Sequence, residues 1–222
     1  MPSVTRKSHG NRAQRRDEVR QRLLSVVEEL LIAGESYAEI SVERLVSEAK
    51  LSRSTFYVYF EDKGDLLRAW FAQVIEELED AAGGWWKLDG SATPEDLRAA
   101  LSQIVKTYRP HTTLMAALYD MSSYDSTVRD EVTRMMSRNA AGLRRHIQRG
   151  QKQGWIDPGL LPAETSVWLT WMAERGQHQM VRVADDEEVE RLIDAYAGLV
   201  WNTLYAFAPA RNGGRKTARP RK

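Results

Sequence analysis

Apolar residues recur at three- and four-residue steps through almost the whole chain, and this periodicity limits the fold more than any other feature. In the first such segment, between Asp17 and Ala33, one helix face is apolar, and Gly34 stands where that helix should stop. Prolines are few and stand at the expected ends of the segments. The sequence contains no alternating strand pattern bounded by hairpin turns. It therefore predicts an all-α fold of about nine helices.

Charge is segregated along the chain, although the net formal charge of the 222 residues is only +1. Residues 1–22 contain seven Lys or Arg, residues 209–222 contain six, and the body between them has a net charge of −10. Basic ends on an acidic body indicate a polyanionic partner that the ends contact. A purely solubilising role is the alternative, and it is the favoured one for the C-terminal run taken alone.

Several classes of protein are disfavoured by what the sequence lacks. It has no cysteine, which excludes disulfides, Cys-ligated metals and Cys nucleophiles. Its apolar runs are shorter than the roughly 20 residues that cross a bilayer, and its basic N-terminus lacks the apolar segment of a secretory signal. The histidines are scattered, and no phosphate-binding loop or nucleophile elbow is visible. We therefore expect a cytoplasmic protein that is not an enzyme and uses no metal or cofactor.

Two short helical segments flank a compact turn at residues 49–52, the arrangement of a helix-turn-helix. Ser41 and Ser52 are the predicted N-caps of the two helices. In the second helix, Arg53 and Thr55 can reach base edges in a major groove, whereas tyrosine hydroxyls and helix starts suit phosphates. For Tyr59, a place in the core is the alternative. The predicted DNA contacts are Ser41, Lys50, Ser52, Arg53, Ser54, Thr55, Tyr57, Tyr59 and Lys63.

The segment ISVERLVSEAKLSRSTFYVYFEDKGDLL, residues 40–67, resembles the DNA-binding signature of the TetR family of transcriptional regulators over its whole length. Its characteristic positions hold Thr55, Tyr57, Tyr59, Phe60, Lys63 and Leu66. The resemblance implies a homodimeric repressor that binds double-stranded operator DNA and releases it when a small hydrophobic effector binds. The sequence departs from the family at Lys50, where the turn usually has glycine. We therefore expect a positive φ at Lys50 and an extra cation near phosphate.

The C-terminal part is rich in aromatic residues and methionine, including six of the seven tryptophans. Such side chains suit an adaptable apolar cavity, with a plain core as the alternative. The last two predicted helices, at about 162–183 and 185–207, carry apolar rows too wide for one buried face. We therefore expect these helices to form a dimer interface.

Within the TetR family, residues 97–154 and the segments WMAERGQ (171–177) and VWNTLY (200–205) are similar to the mycobacterial ethionamide-resistance repressor subgroup. This resemblance implies an elongated aromatic channel for hydrophobic ligands and dimerisation through the last two helices. For Glu174 and Arg175, an ion pair is favoured over ligand contact. The candidate ligand-binding residues are Leu97, Ile104, Tyr108, Met136, Asn139, Thr170, Trp171, Glu174 and Trp201.

The predicted organisation has four parts. Residues 1–16 are a disordered basic arm, 17–62 the helix-turn-helix DNA-binding domain, 63–208 the ligand-binding and dimerisation domain, and 209–222 a disordered basic tail. The fourth helix is expected to run from Lys63 to about Asp80, with residues 83–93 forming a loop. Three other classes remain open: an enzyme, a helical interaction protein without ligand response or DNA binding, and a membrane-surface role for the basic ends. The hydroxyls and cations of residues 52–63 argue against the second.

Overall fold

The computed structural model describes residues 8–206, with side chains from residue 14 onward, and this part of the chain is helical with no strand. The fold class predicted from the sequence is confirmed. The predicted tail at 209–222 and residues 1–7 of the predicted arm lie outside the described residues. The helices are α1 (Ser8–Ile32), α2 (Val42–Glu48), α3 (Arg53–Tyr59), α4 (Lys63–Trp86), α5 (Pro94–Tyr108), α6 (Thr112–Ser122), α7 (Ser126–Gln153), α8 (Pro162–Gly176) and α9 (Asp186–Leu204). A 3₁₀ turn (Arg109–His111) precedes α6, and a π-helical turn (Gln177–Val181) continues α8.

Side-chain caps and glycines set the helix ends. Ser41 and Ser52 cap α2 and α3, as predicted. Thr93 and Asp96 form a reciprocal capping box at the start of α5. Gly34 ends α1 with φ +94°, a conformation that other residues rarely adopt.

The first of two compact units contains the described residues of Met1–Glu77 together with Pro110–Arg134. Within it, α1 packs against α2 and α6, and α2 packs against α3. Its core includes Leu45, Phe56 and Leu118, which are buried completely. The Arg22 guanidinium donates to the Ala49 carbonyl at 2.6 Å, which joins α1 to the end of α2. Isolated helices of seven residues are unstable in water, so α2 and α3 depend on their packing in this shared core.

The second unit contains Leu78–Arg109 and the described residues from Met135 onward. Its most extensive helix packing is that of α5 against α9. Arg98 on α5 joins the two helices at the surface, since it pairs with Glu190 at 2.7 Å and Asp194 at 2.5 Å. The core of the unit consists of Trp85, Leu97, Leu101, Leu143, Ile147, Trp155, Ile156, Leu169, Ala197, Val200, Leu204 and Tyr205. No helix in the described range is long and apolar enough to cross a membrane.

Two helix boundaries differ from the sequence prediction. α1 begins at Ser8 rather than near Asp17. α4 continues through Gly83 and Gly84 to Trp86, so the expected loop at residues 83–86 is wrong. Each glycine costs a helix about 1 kcal/mol relative to alanine, but Trp85 beyond them is buried and its indole N–H donates to the Tyr205 hydroxyl at 3.1 Å. Burial of this large side chain outweighs the poor helix propensity of the two glycines.

Candidate DNA-reading surface and ligand cavity

The α2–turn–α3 segment presents one face of α3 outward. The buried rings of Phe56 and Phe60 anchor α3 from behind. Ser52 Oγ accepts the Thr55 N–H at 3.0 Å, and Ser41 Oγ accepts the Arg44 N–H at 3.1 Å, so both helices begin at defined residues. The exposed residues of α3 are Arg53, Ser54, Tyr57 and Val58. They form one continuous face because positions three and four apart are neighbours on a helix.

Val58 belongs to this outward face, and the sequence analysis did not single it out. Its side chain is 60% exposed, and it is the aliphatic member of this face. Its position four residues after Ser54 was the available signal. A branched apolar side chain at this place can contact a thymine methyl group.

Three hydroxyls cluster at the start of α3. Ser52 Oγ lies 2.8 Å from Ser54 Oγ and 2.7 Å from Thr55 Oγ1. Ser52 and Ser54 are exposed, whereas Thr55 is half-buried. The cluster offers donors and acceptors, but the Thr55 hydroxyl is already engaged within the protein.

Arg53 makes two contacts on the surface. Its guanidinium forms an ion pair with Glu43 of α2 and lies 5.6 Å from the centre of the Tyr57 ring. Both charged side chains are more than half exposed. Contact between Arg53 and another group therefore competes with a carboxylate from the same helix-turn-helix.

Lys50 has φ +52° in the turn between the helices, as the missing glycine predicts. Its N–H donates to the Ser47 carbonyl at 3.1 Å, and the Leu51 N–H donates to the Val46 carbonyl at 2.8 Å, which closes α2. The Lys50 side chain is exposed. The left-handed backbone conformation therefore carries a steric cost at a position that directs a cation into solvent.

We expect Lys50→Gly to raise the free energy of unfolding by about 1 kcal/mol, because a residue with a Cβ loses roughly 1–2 kcal/mol in the left-handed region and glycine recovers part of it. Denaturant unfolding of the full chain measures this change. Lys50→Gln is the matched control for the lost charge, since glutamine removes the ammonium but keeps a Cβ at positive φ and should be no more stable than the parent. A less stable Lys50→Gly protein would show that the backbone at this turn is not strained.

Lys63, a predicted phosphate contact, has a different environment from the expected one. Its ammonium donates to the carbonyls of Tyr37 at 2.9 Å, Ala38 at 2.6 Å and Ile40 at 3.0 Å. An ammonium has three protons, so these carbonyls use all of its donors. The Tyr37 hydroxyl donates back to the Lys63 carbonyl at 2.6 Å. Partial burial lowers the pKa of Lys63, and the residue fastens the α1–α2 loop to the start of α4.

A cavity of about 230 Å³ lies in the second unit between α5, α8, the π-helical turn and α9. Its walls are almost entirely apolar. Of the nine predicted ligand-binding residues, Ile104 alone lines it. The lining residues are Trp85, Leu101, Ile104, Val105, Met172, Ala173, Gly176, Gln177, Met180, Val181, Leu192, Ile193, Ala195, Tyr196 and Leu199.

The other predicted ligand residues lie elsewhere in the same unit. Leu97 is fully buried in the core, and Trp201 stacks on Tyr205 with ring centres 5.1 Å apart. In α7, Met136 is buried and Asn139 half-buried; in α8, Thr170 is half-buried and Trp171 is exposed. Eight of the nine predicted ligand-binding residues therefore lie outside the lining of the cavity between α5, α8 and α9.

Tyr108 and Glu174 are the two predicted ligand residues that are both polar and buried. Burial raises the pKa of Tyr108, and the nearby Glu174 charge raises it further. Glu174 is only 8% exposed, and within the described structure neither carboxylate oxygen has a hydrogen-bond partner. The Arg175 Nε atom lies 3.4 Å from one of them. The favoured ion-pair interpretation of Glu174 and Arg175 thus agrees with the short separation, although the geometry leaves the carboxylate poorly solvated.

Sequence reasoning missed a buried polar cluster around His146. Its Nε2 lies 2.7 Å from the Tyr205 hydroxyl, and its Nδ1 lies 3.1 Å from an Arg149 guanidinium nitrogen. The same Arg149 nitrogen also donates to the Trp86 and Leu88 carbonyls at 2.7 and 3.0 Å, so this guanidinium holds the end of α4 beside His146. Burial, together with the Arg149 charge, lowers the pKa of His146 to about 4. A lone histidine in an amphipathic sequence gives no sign of such an environment.

The chain matches a known family in its N-terminal part. Residues 29–70 match the model of the family described as bacterial regulatory proteins, tetR family. This segment contains the end of α1, all of α2 and α3, and the first part of α4. No curated protein matches the sequence significantly.

Solved structures of TetR-family regulators are similar to the chain over most of its length. A TetR transcription regulator from Haloarcula marismortui has a TM-score of 0.68 at 17% identity and covers 86% of this chain and 99% of its own. A regulator from Syntrophomonas wolfei gives 0.66 at 15% identity, covering 83% and 95%. PfmR from Thermus thermophilus gives 0.64 at 19%, covering 82% and 94%. At such identities the likeness shows a shared fold.

Proposed function

We propose that this chain is a TetR-family regulator, and specifically a dimeric repressor that a small hydrophobic molecule releases from operator DNA; the match of residues 29–70 and the shared fold support this proposal. The observation that carries the proposal is the outward face of α3, where a cation, hydroxyls and an apolar side chain stand together on a rigid two-helix support. This combination suits direct reading of bases in a major groove. Since operator DNA lies in the bacterial cytoplasm, we assign the protein to that compartment.

Three residues of α3 are the proposed base contacts. Arg53 suits guanine, Ser54 suits a donor or acceptor on a base edge, and Val58 suits a thymine methyl. The proposed phosphate contacts, which position the protein on the DNA, are Ser41, Lys50, Ser52 and Tyr57, all exposed around this face. Thr55 and Tyr59, both half-buried, are secondary candidates, and Lys63 acts indirectly through the loop that it holds.

The proposed homodimer rests on an apolar surface of α8 and α9. Trp168 is 77% exposed, and Val167, Trp171, Met172 and Leu199 are also exposed. An exposed apolar surface of this kind indicates an interaction site. Two such helices from each copy can form a four-helix interface about a two-fold axis. A dimer would then fix the spacing of two recognition helices on a palindromic operator.

We extend the proposal to the effector and to the subgroup. The apolar cavity of the second unit supports a response to a hydrophobic molecule. The similarity of residues 97–154 and of the last two helices to the ethionamide-resistance repressor subgroup supports the same ligand class. In this protein the polar contacts to the ligand would differ, because Thr170 and Ala173 replace the two asparagines of that subgroup.

If Arg53 reads bases, substitutions of Arg53 and of its ion-pair partner Glu43 should change operator affinity in opposite directions. Arg53→Ala should weaken operator binding by about 1–3 kcal/mol and relax the preference at one operator position. Glu43→Gln should strengthen binding severalfold, because it frees Arg53 and removes a negative charge from the surface. Fluorescence anisotropy with a genomic fragment selected by the protein, and with random DNA of equal length, measures both.

Equal weakening of Arg53→Ala on operator and random DNA would mean that Arg53 contacts phosphate alone. If the parent protein bound no genomic fragment more tightly than random DNA, the repressor function itself would be rejected in favour of a helical interaction protein.

A further inference from the structure

The part of α7 that belongs to the second unit carries charge of one sign on its outward side. Residues 135–153 contain five Lys or Arg and no Asp or Glu, although the body of the chain between its basic ends has a net charge of −10. All five of these cationic side chains are exposed. They form the basic face of α7, which consists of Arg138, Arg144, Arg145, Arg149 and Lys152.

Most of these cations stand in one row along the helix. The row consists, at steps of seven, four and three residues, of Arg138, Arg145, Arg149 and Lys152. Such steps return to the same side of an α-helix. At a rise of about 1.5 Å per residue, the row is roughly 21 Å long. Arg144 and the exposed neutral side chains of Ser137 and Gln148 lie beside it. The basic face is therefore an extended strip rather than a single charge.

Carboxylates offset only part of this charge. Glu79 of α4 pairs with Arg138 at 3.2 Å, but within the described residues Arg144, Arg145 and Lys152 form no ion pair. Like charges three and four residues apart destabilise a helix. Attraction to the carboxyl end of the helix explains a cation in the last turn, Lys152. It does not explain Arg144 and Arg145, which lie about two turns earlier, so the stability of α7 gives no reason for the row.

One cation of the row is fixed in place and brings another beside it. The hydrogen bonds from Arg149 to the carbonyls of Trp86 and Leu88 hold the intervening residue, Lys87, next to α7. The Lys87 side chain is exposed, so it extends the basic face. The nearby Asp89 offsets part of the Arg149 charge. Because Arg149 is already held by the fold, it loses less side-chain entropy when an anion binds.

The composition of the basic face selects among polyanions. None of the exposed large apolar or aromatic side chains of the described chain belongs to residues 135–153. Protein interfaces depend on buried aromatic or apolar anchors, surface helices bind membranes by burying an apolar face, and single-stranded nucleic acids stack their bases on exposed aromatic rings. A DNA duplex instead attracts proteins through its phosphates, which Arg, Lys, Ser and Gln side chains contact. The basic face therefore matches the backbone of a duplex.

We propose that the basic face of α7 is a second contact surface for double-stranded DNA, separate from the helix-turn-helix, and that it binds phosphates without reading sequence. It belongs to a different unit from α3 and contributes no residue to the apolar surface assigned above to the homodimer. Such a surface keeps the protein on DNA whatever its recognition helices bind, which raises its effective concentration near its sites. The proposal does not require the repressor function, because it concerns DNA of any sequence.

Fluorescence anisotropy with a short random duplex tests the surface on the full chain. The background protein is Lys50→Gln/Arg53→Ala, in which the helix-turn-helix contacts are weakened, and it should still bind the duplex at about 50 mM salt. Adding Arg145→Gln/Lys152→Gln should weaken binding at least about fivefold. It should also reduce the slope of the logarithm of affinity against the logarithm of salt concentration by about 2, which is one unit for each lost phosphate contact.

The matched control adds Lys106→Gln/Arg191→Gln to the same background and removes two exposed cations from α5 and α9 instead. Its affinity and salt slope should stay near those of the background. Equal effects of the two pairs would overturn the proposal, since binding would then follow net charge rather than position. A background protein that binds no random duplex would overturn it too. Tighter binding of polyglutamate or of phosphatidylserine vesicles than of the duplex, lost in Arg145→Gln/Lys152→Gln, would overturn it in favour of an acidic protein or a membrane.

A fluorescent label locates the contact without removing any cation of the face. The chain has no cysteine, so Gln148→Cys in the same background places a single fluorophore beside the row. A random duplex that carries a quencher should quench this label more strongly than the same label at Ala99→Cys, an exposed position of α5. Equal quenching at the two positions would overturn the proposal. A parent protein without any preferred genomic fragment would reject the repressor function alone, because neither experiment uses operator DNA.

Discussion

Trp168→Glu is expected to raise the dissociation constant of the proposed homodimer by about 1,000-fold. Trp168, at 77% exposed, is the most exposed residue of the apolar surface of α8 and α9, and an interface tryptophan of the hot-spot kind contributes about 2 kcal/mol or more. A two-fold interface contains each residue twice, so the loss is about 4 kcal/mol, and 1.4 kcal/mol corresponds to a factor of ten. Operator affinity should fall with it, because a monomer contacts one half-site.

Sedimentation velocity over a range of protein concentrations measures the dissociation constant of the dimer, and fluorescence anisotropy measures the operator affinity. The far-UV circular dichroism of the variant should match that of the parent, since an exposed side chain contributes little to the core, whereas its melting temperature should fall because dimerisation stabilises the folded state by mass action. Tyr124→Glu is the matched control, because Tyr124 is also an exposed aromatic residue but lies in the first unit. A Trp168→Glu protein that dimerises as tightly as the parent would place the interface elsewhere.

Lowering the pH from 7 to 5 is expected to reduce the free energy of unfolding by about 2 kcal/mol through His146 alone. In the folded protein its pKa is about 4, whereas in the unfolded chain it is about 6.5. Between these values the unfolded chain binds a proton that the folded protein excludes, so acid favours unfolding. The contribution is absent above pH 7, grows as the pH falls through 6.5, and levels off below about 4.

Urea unfolding followed by tryptophan fluorescence at several pH values measures the slope. His146→Gln should be less stable than the parent at pH 7, since it loses the bonds to Tyr205 and Arg149. It should nevertheless lose about 2 kcal/mol less than the parent between pH 7 and 5, because it has no imidazole to protonate. Equal pH dependence of the two proteins would show that His146 titrates normally in the folded state.

The helices and the helix-turn-helix could be predicted from the sequence because local rules decide them. Apolar periodicity, the serine caps and the missing glycine at Lys50 each act within a few residues, and the fold class and the positive φ agree with them. The end of α4 could not be predicted in this way. There, a tertiary contact between Trp85 and Tyr205, 120 residues apart, overrides the local preference of two glycines.

The contacts of individual side chains were even harder to predict from the sequence. Lys63 was expected at a phosphate because it stands at a helix start, yet its ammonium points to carbonyls about 25 residues earlier in the chain. Likewise, resemblance to a subgroup indicated a channel, but the cavity between α5, α8 and α9 depends on how three helices diverge, which no residue pattern encodes. The pairing of Arg53 with Glu43 depends on the angle between α2 and α3 and was equally hidden.

The reciprocal bonds between Tyr37 and Lys63 have a mechanical consequence for the α2–α3 pair. This pair is joined to α4 covalently through residues 60–62, and again through the loop that Lys63 grips just before Ser41. A rigid body attached at two separate points can rotate only about the line that joins them. A tilt in the first turn of α4 should therefore move α2 and α3 together, because the second attachment removes the freedom that residues 60–62 alone would leave.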